Sequence, residues 1–161
     1  MLLSLSLIPH ALAPFFKWME RVNVFGGSAY LAQGTNLVHL ACMVTFMGAL
    51  LMVDLRLLGL GLTKDPVRKL ARTARPWLLG GFAGLVVTGV PAVMTVATQE
   101  FANDVFWVKM YVLLAAIFWT FVVRARAVQT DEPRGGAKVV ALVSIALWMG
   151  VAAGGRLIMY F

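Results

Sequence analysis

Four apolar runs, each long enough to cross a bilayer, dominate this sequence. About 20 apolar residues span a hydrocarbon core as a helix, and the stretches near 33–60, 77–97, 105–123 and 139–160 all qualify. In lipid, every backbone polar group must be satisfied within its own segment or closed sheet. The runs therefore predict an all-α integral membrane protein, a four-helix bundle in one membrane domain. Pro91 predicts a kink in the second span. Gly80 with Gly84, and Gly150 with Gly154, have a spacing that lets helices approach closely. Composition agrees: 61% of residues are apolar and only 13% charged, against about 25% charged in soluble domains.

The net charge of +7 is concentrated between the runs. Lys64, Arg68, Lys69, Arg72 and Arg75 fall in 61–76, and Arg124, Arg126, Arg134 and Lys138 in 124–138. The segment 98–104 has Glu100 and Asp104 and no cation. Cation-rich loops stay on the cytoplasmic side, so both termini and the acidic loop are expected outside. No basic groove with interleaved aromatics is visible, which argues against nucleic acid as a partner. Residues 1–30 combine a leader-like start, ending in Ala11-Leu12-Ala13 and read as retained, with an amphipathic stretch. Within 12–25, Phe15, Phe16, Trp18, Met19 and Val22 cover one helix face, as in an interfacial helix.

Ionisable groups inside spans are costly and mark function by default. His39 lies about two turns inside the first span, Lys109 about one turn inside the third, and Arg156 a little over one turn from the end of the fourth. The expected topology puts all three in the outer half of the bundle. A haem b would use such a set: imidazole on iron, and cations for the two propionates. Trp107, Tyr111, Trp148 and Tyr160 are candidates to flank the macrocycle, and Met94 is a candidate sixth ligand. The plainer reading has Lys109 and Arg156 snorkelling to headgroups and the aromatics forming an interfacial belt. Copper is the minor alternative cofactor. Met43 and Met47 follow His39 at four-residue steps with Cys42 adjacent, and soft sulfur suits Cu(I), although such a stripe also serves packing. His10 can cap the site from above or simply be solvated. Asp54 is expected to pair with Arg75 or Arg124 at the cytoplasmic end.

The single cysteine, Cys42, excludes an intramolecular disulfide and any cysteine-rich metal motif. There is no GxSxG elbow, no HExxH pair and no phosphate-binding glycine loop.

The segments "VHLACMVTFMGALLMVDLRLLGLG", "FWVKMYVLL" and "LWMGVAAGGRLIMYF" resemble those of a family of bacterial four-helix membrane proteins without an assigned activity. The likeness covers nearly all of the chain after residue 14. More distantly, the histidine-led first helix and "FWVKM" are similar to the HemJ-type protoporphyrinogen oxidase and to the copper-resistance D membrane domain. The HemJ likeness implies haem-site roles for His39 and Lys109, while "VDLRLLGLG" lacks that family's further histidine. These readings lead to three expectations. The first is a haem b electron-transfer protein of the bacterial inner membrane, alone, as a homo-oligomer, or within a larger redox complex. The second is a HemJ-like oxidase. The third is a cofactor-free structural or assembly subunit.

Overall fold

The computed structural model describes residues 10–23, 28–129 and 135–158. The side chain of His10, together with Arg134 and Tyr160, lies outside the described residues. Among those described, all regular elements are helical: α1 (Ala13–Arg21), α2 (Ala29–Leu58), α3 (Val67–Met94), α4 (Ala97–Phe101), α5 (Asp104–Ala127) and α6 (Ala137–Leu157). Of these, α2, α3, α5 and α6 are long and apolar enough to span a membrane.

The helices differ from the apolar runs mainly at the cationic end. The second span begins at Val67, ten residues before its expected start at 77, because the helix continues through Arg68, Lys69, Arg72 and Arg75. Val67 and Ala74 are buried, so one face of that cationic turn belongs to the bundle. The helix also runs on through both Pro76 and Pro91. At its far end the chain enters the short α4, within what reads as an acidic loop.

Adjacent spans pack as antiparallel hairpins, α2 against α3 and α5 against α6, and the hairpins meet chiefly through α2 and α6. Lipid tails are as apolar as leucine, so burial alone does not hold such helices together; close packing and polar contacts do. Glycine supplies the close packing. A Cβ on Gly81 would lie 2.8 Å from the Phe46 backbone nitrogen, and one on Gly84 would overlap Cys42. Gly80 has nothing within 4 Å, so the contact row is Gly81 and Gly84 rather than Gly80 and Gly84. Both Gly150 and Gly154 meet α5, at Val112 and Lys109.

Apolar residues form a main core from mid-bundle toward the basic loops. Phe46, Leu50, Val53, Leu78, Ala116 and Trp148 are its centre, with Phe46 and Trp148 edge to face at 4.5 Å. At the same end, Arg124 Nε donates to Asp54 Oδ1 at 2.6 Å and Arg124 Nη2 to the Leu50 carbonyl at 3.1 Å. Asp54 therefore pairs with Arg124, one of its two expected partners. Both are buried, at 0% and 5% exposure, where a lone charge would be untenable. A π-helical stretch, Trp119–Arg124, sets up this pair. Residues four apart drift by about 40° per step on an α-helix. The wider turn takes up that drift and keeps Ala116, Thr120 and Arg124 all facing inward.

A second cluster caps the acidic-loop end. Phe16 and Met19 of α1 pack on Ala97, Phe106 and Trp107, and Glu20 accepts hydrogen bonds from the Thr98 backbone N–H and hydroxyl. The adjacent face of α1 exposes Phe15 and Trp18, whose rings stack. This nine-residue helix thus has one face for the bundle and one for the membrane interface.

Candidate functional site

Between the main core and the cap lies a layer of small and polar groups. Four elements build it: α2 brings His39, α3 Thr88 and Gly89, α5 Lys109, and α6 Gly154 and Gly155. Antiparallel packing sets the register. His39 is ten residues into α2, Lys109 five residues into α5, and Thr88 six residues before the end of α3, within about 15 Å of the same end.

His39 Nδ1 and Thr88 Oγ1 are 2.7 Å apart, and Thr88 Oγ1 donates to the Gly84 carbonyl at 2.6 Å. A hydroxyl has one proton, and a carbonyl can only accept. With that proton committed to Gly84, Nδ1 must carry its own and donate to Thr88. In the neutral ring this leaves the lone pair on Nε2, the nitrogen free to act as ligand or base. Glycine makes room for the ring, since a Cβ on Gly89 would stand 3.3 Å from His39 Cε1.

Lys109 is half-buried against bare backbone. Cβ atoms on Gly154 and Gly155 would lie 3.2 Å from its Cβ and 3.6 Å from its Nζ. It is near enough to His39 and to Glu100 of α4 to act on both electrostatically. Glu100 is the residue that sequence reasoning missed. Its Oε2 is buried without a hydrogen-bond partner among the described residues. Glu100 lies outside the spans, and burial holds its carboxyl above the ordinary carboxylate range, outweighing the pull of Lys109. Thr88 was also missed; its one signal is a mid-span hydroxyl flanked by Gly84 and Gly89 in an apolar run.

The structure brings His39 and Lys109 together and separates other candidates from them. Trp148 lies deeper, in the main core, its indole N–H donating to Thr120 Oγ1 at 2.9 Å. Trp107 belongs to the cap and donates to the Phe101 carbonyl at 3.0 Å. Met94 packs against the cap cluster on the other side of the layer. Trp148 and Trp107, expected beside a macrocycle, and Met94, expected on its iron, stand in the packing clusters on either side of the His39 level. The cause is register: Trp148 faces Phe46, seven residues or about 10 Å further along α2 than His39. Met43 is half-buried one turn from His39, Met47 packs on the main core, and Cys42 is half-buried against Gly84. Arg156 and Tyr111 are exposed, Arg156 directly after Gly155. No group of three or more His, Cys, Asp or Glu residues suited to a metal ion occurs among the described residues.

Fold and site define a multi-pass membrane protein, a four-helix bundle with a histidine-bearing polar layer beneath a helical cap. The chain belongs to DUF6644, a family of unknown function, whose model matches residues 14–161. No curated protein and no solved structure matches it.

Proposed function

We propose that this protein binds haem b through His39 and passes electrons in the acidic-loop half of the membrane, alone, as a homo-oligomer, or as a subunit of a larger redox complex. The observation that carries the reading is the relay from His39 through Thr88 to the Gly84 carbonyl. Metal-ligating histidines commonly have their second ring nitrogen held in this way, which fixes the tautomer and orients the lone pair. The donor set fits the group. Nε2 would hold the iron and Lys109 would offer a cation to a propionate, while Gly89, Gly154 and Gly155 let the His39 ring and the Lys109 chain lie against bare backbone. Arg156 follows Gly155 and is the candidate for the second propionate.

When bound, haem supplies a one-electron iron couple. The chain's own work is to hold the imidazole in one tautomer, to balance the propionate charge, and to keep water out. The cap of Phe16, Met19, Phe106 and Trp107 does the last of these. By the positive-inside rule the layer faces the periplasm of a bacterial inner membrane, as do both termini. The more distant likeness to the HemJ-type oxidase and the copper-resistance D domain rests on the same first-helix histidine and third-helix lysine.

The test is the visible spectrum of protein purified from haem-replete cells. A Soret band present in the wild type and absent from a folded His39→Ala variant supports the proposal. Consumption of added protoporphyrinogen above background would make the protein an oxidase instead. Stoichiometric copper lost with Met43 would replace haem by copper. A colourless, folded wild type without metal would leave a structural or assembly subunit.

A further inference from the structure

The membrane-facing side of α3 changes character along its length. Lys69 and Arg72 come first, then Trp77, then Gly80, Ala83 and Val87, and all six are exposed. Lys69, Arg72, Gly80, Ala83 and Val87 lie on the side opposite the buried Ala74, Leu78 and Gly81, with Trp77 on its flank one turn from Gly80. This side therefore runs from a cationic end into an apolar, hydrocarbon-facing surface.

Depth places the two parts in different zones of a bilayer. Trp77 is 65% exposed, and exposed tryptophan at a span's end marks the boundary of the hydrocarbon. Arg72 lies about 7 Å and Lys69 about 12 Å beyond it along the helix axis. Each interfacial zone is about 5–8 Å deep, so the Arg72 backbone stands at the level of the lipid phosphates, while that of Lys69 lies just beyond them, within reach of its long side chain. A cleft of about 390 Å³ opens there among Pro66, Arg68, Lys69, Arg72 and Thr73.

We infer that this face holds an anionic phospholipid, with its phosphate in the cleft beside Arg72 and Lys69 and an acyl chain along Trp77, Gly80 and Val87. Charge selects against a zwitterionic lipid. Arg68, Lys69 and Arg72 line the cleft, and Asp65 is the only acidic residue in 61–76. Asp65 does contact Lys69, at 3.0 Å, but as an exposed pair; such pairs are weak and leave the patch positive. Arg68 is braced by donating through Nε to the Gln129 carbonyl at 2.8 Å, which ties the cleft to the end of α5. The apolar part of this side favours a lipid over a soluble phosphate, which would use only the cationic end. At Gly80, a Cβ would meet nothing within 4 Å, so an acyl chain can lie close to the helix backbone there.

The experiment measures lipid retention and thermal shift on the purified full-length chain in mild detergent. Phosphatidylglycerol is compared with phosphatidylcholine at equal mole fraction and with glycerol phosphate as the soluble arm. Phosphatidylglycerol is expected to be retained and to raise the unfolding midpoint, while the other two do little. The double variant Lys69→Gln/Arg72→Gln should weaken retention roughly 20–30-fold, about fivefold per cation. The control Arg126→Gln/Lys138→Gln removes the same charge at the same end and should stay within about twofold of wild type. Equal losses in the two double variants would reduce the effect to diffuse surface charge and overturn the site. Equal binding of phosphatidylcholine, or competition by glycerol phosphate, would overturn the anionic lipid. The lipid comparison on wild type alone decides this last point even if a variant fails to fold.

Discussion

Gly80 and Gly81 are neighbours in sequence, yet alanine at each is expected to move stability in opposite directions. A Cβ on Gly81 would lie 2.8 Å from Phe46 N, 2.9 Å from its Cβ and 3.0 Å from its Cα. The closest of these falls 0.6 Å short of the 3.4 Å at which ordinary contact begins. The obstruction is mainly backbone, so no rotamer change relieves it, and α2 must move away from α3. Overpacking of this kind costs about 1–3 kcal/mol, against roughly 0.5–1 kcal/mol recovered from glycine's lost backbone freedom. The net expectation for Gly81→Ala is a destabilisation on the order of 1–2 kcal/mol. Gly80→Ala meets nothing and keeps only the gain, up to about 1 kcal/mol. Thermal unfolding in one detergent, read by near-ultraviolet circular dichroism, compares both variants with wild type. The midpoints should fall on opposite sides of the wild-type value. If Gly81→Ala unfolds at or above the wild-type midpoint, or Gly80→Ala falls as far as Gly81→Ala, the deduced helix contact is wrong.

Three further outcomes are expected. NMR of isotope-labelled imidazole nitrogens should find the proton of neutral His39 on Nδ1 in wild type and in Thr88→Ser, and a mixture of tautomers in Thr88→Val; a proton on Nε2 in wild type would contradict the relay. Asp54→Leu should destabilise the protein by about 3–5 kcal/mol because it strands the buried Arg124, and Asp54→Leu/Arg124→Met should recover most of that loss, as a double-mutant cycle with Arg124→Met would show. Glu100 binds its proton more tightly in the folded protein than in the unfolded chain. Its contribution is therefore complete below the ordinary carboxylate pKa and is lost as pH rises through the raised folded value. Relative to Glu100→Gln, wild type should lose unfolding midpoint across that window, and a flat or rising difference would refute the assignment.

The architecture was largely legible because hydrocarbon-length apolar runs admit few other folds. What stayed hidden depends on rotation and register. Lipid-facing and bundle-facing sides of a span are both apolar, so no periodicity tells Gly80, which faces outward, from Gly81, which meets Phe46. The first turns of α3 read as a loop because cations line their outer side while Val67 and Ala74 are buried on the inner one. His39 and Lys109 stood out as ionisable groups in apolar runs. Thr88 did not, because a hydroxyl is common in a span and its partner is set by the alignment of α2 with α3. Glu100 was visible only as loop charge, since its burial comes from the cap. Trp148 and Met94 were placed by approximate depth; the clusters they pack in, about two turns from the His39 level, are set by a register that apolar runs do not encode.

The most direct test of the account is a haemin titration of the purified apoprotein, followed at the Soret band, for wild type and His39→Ala in parallel. Saturation at a fixed stoichiometry in wild type, with the His39→Ala spectrum unchanged from free haemin in the same detergent, is the predicted result. Equal titration curves for the two proteins, or no saturable binding by a folded wild type, would contradict it.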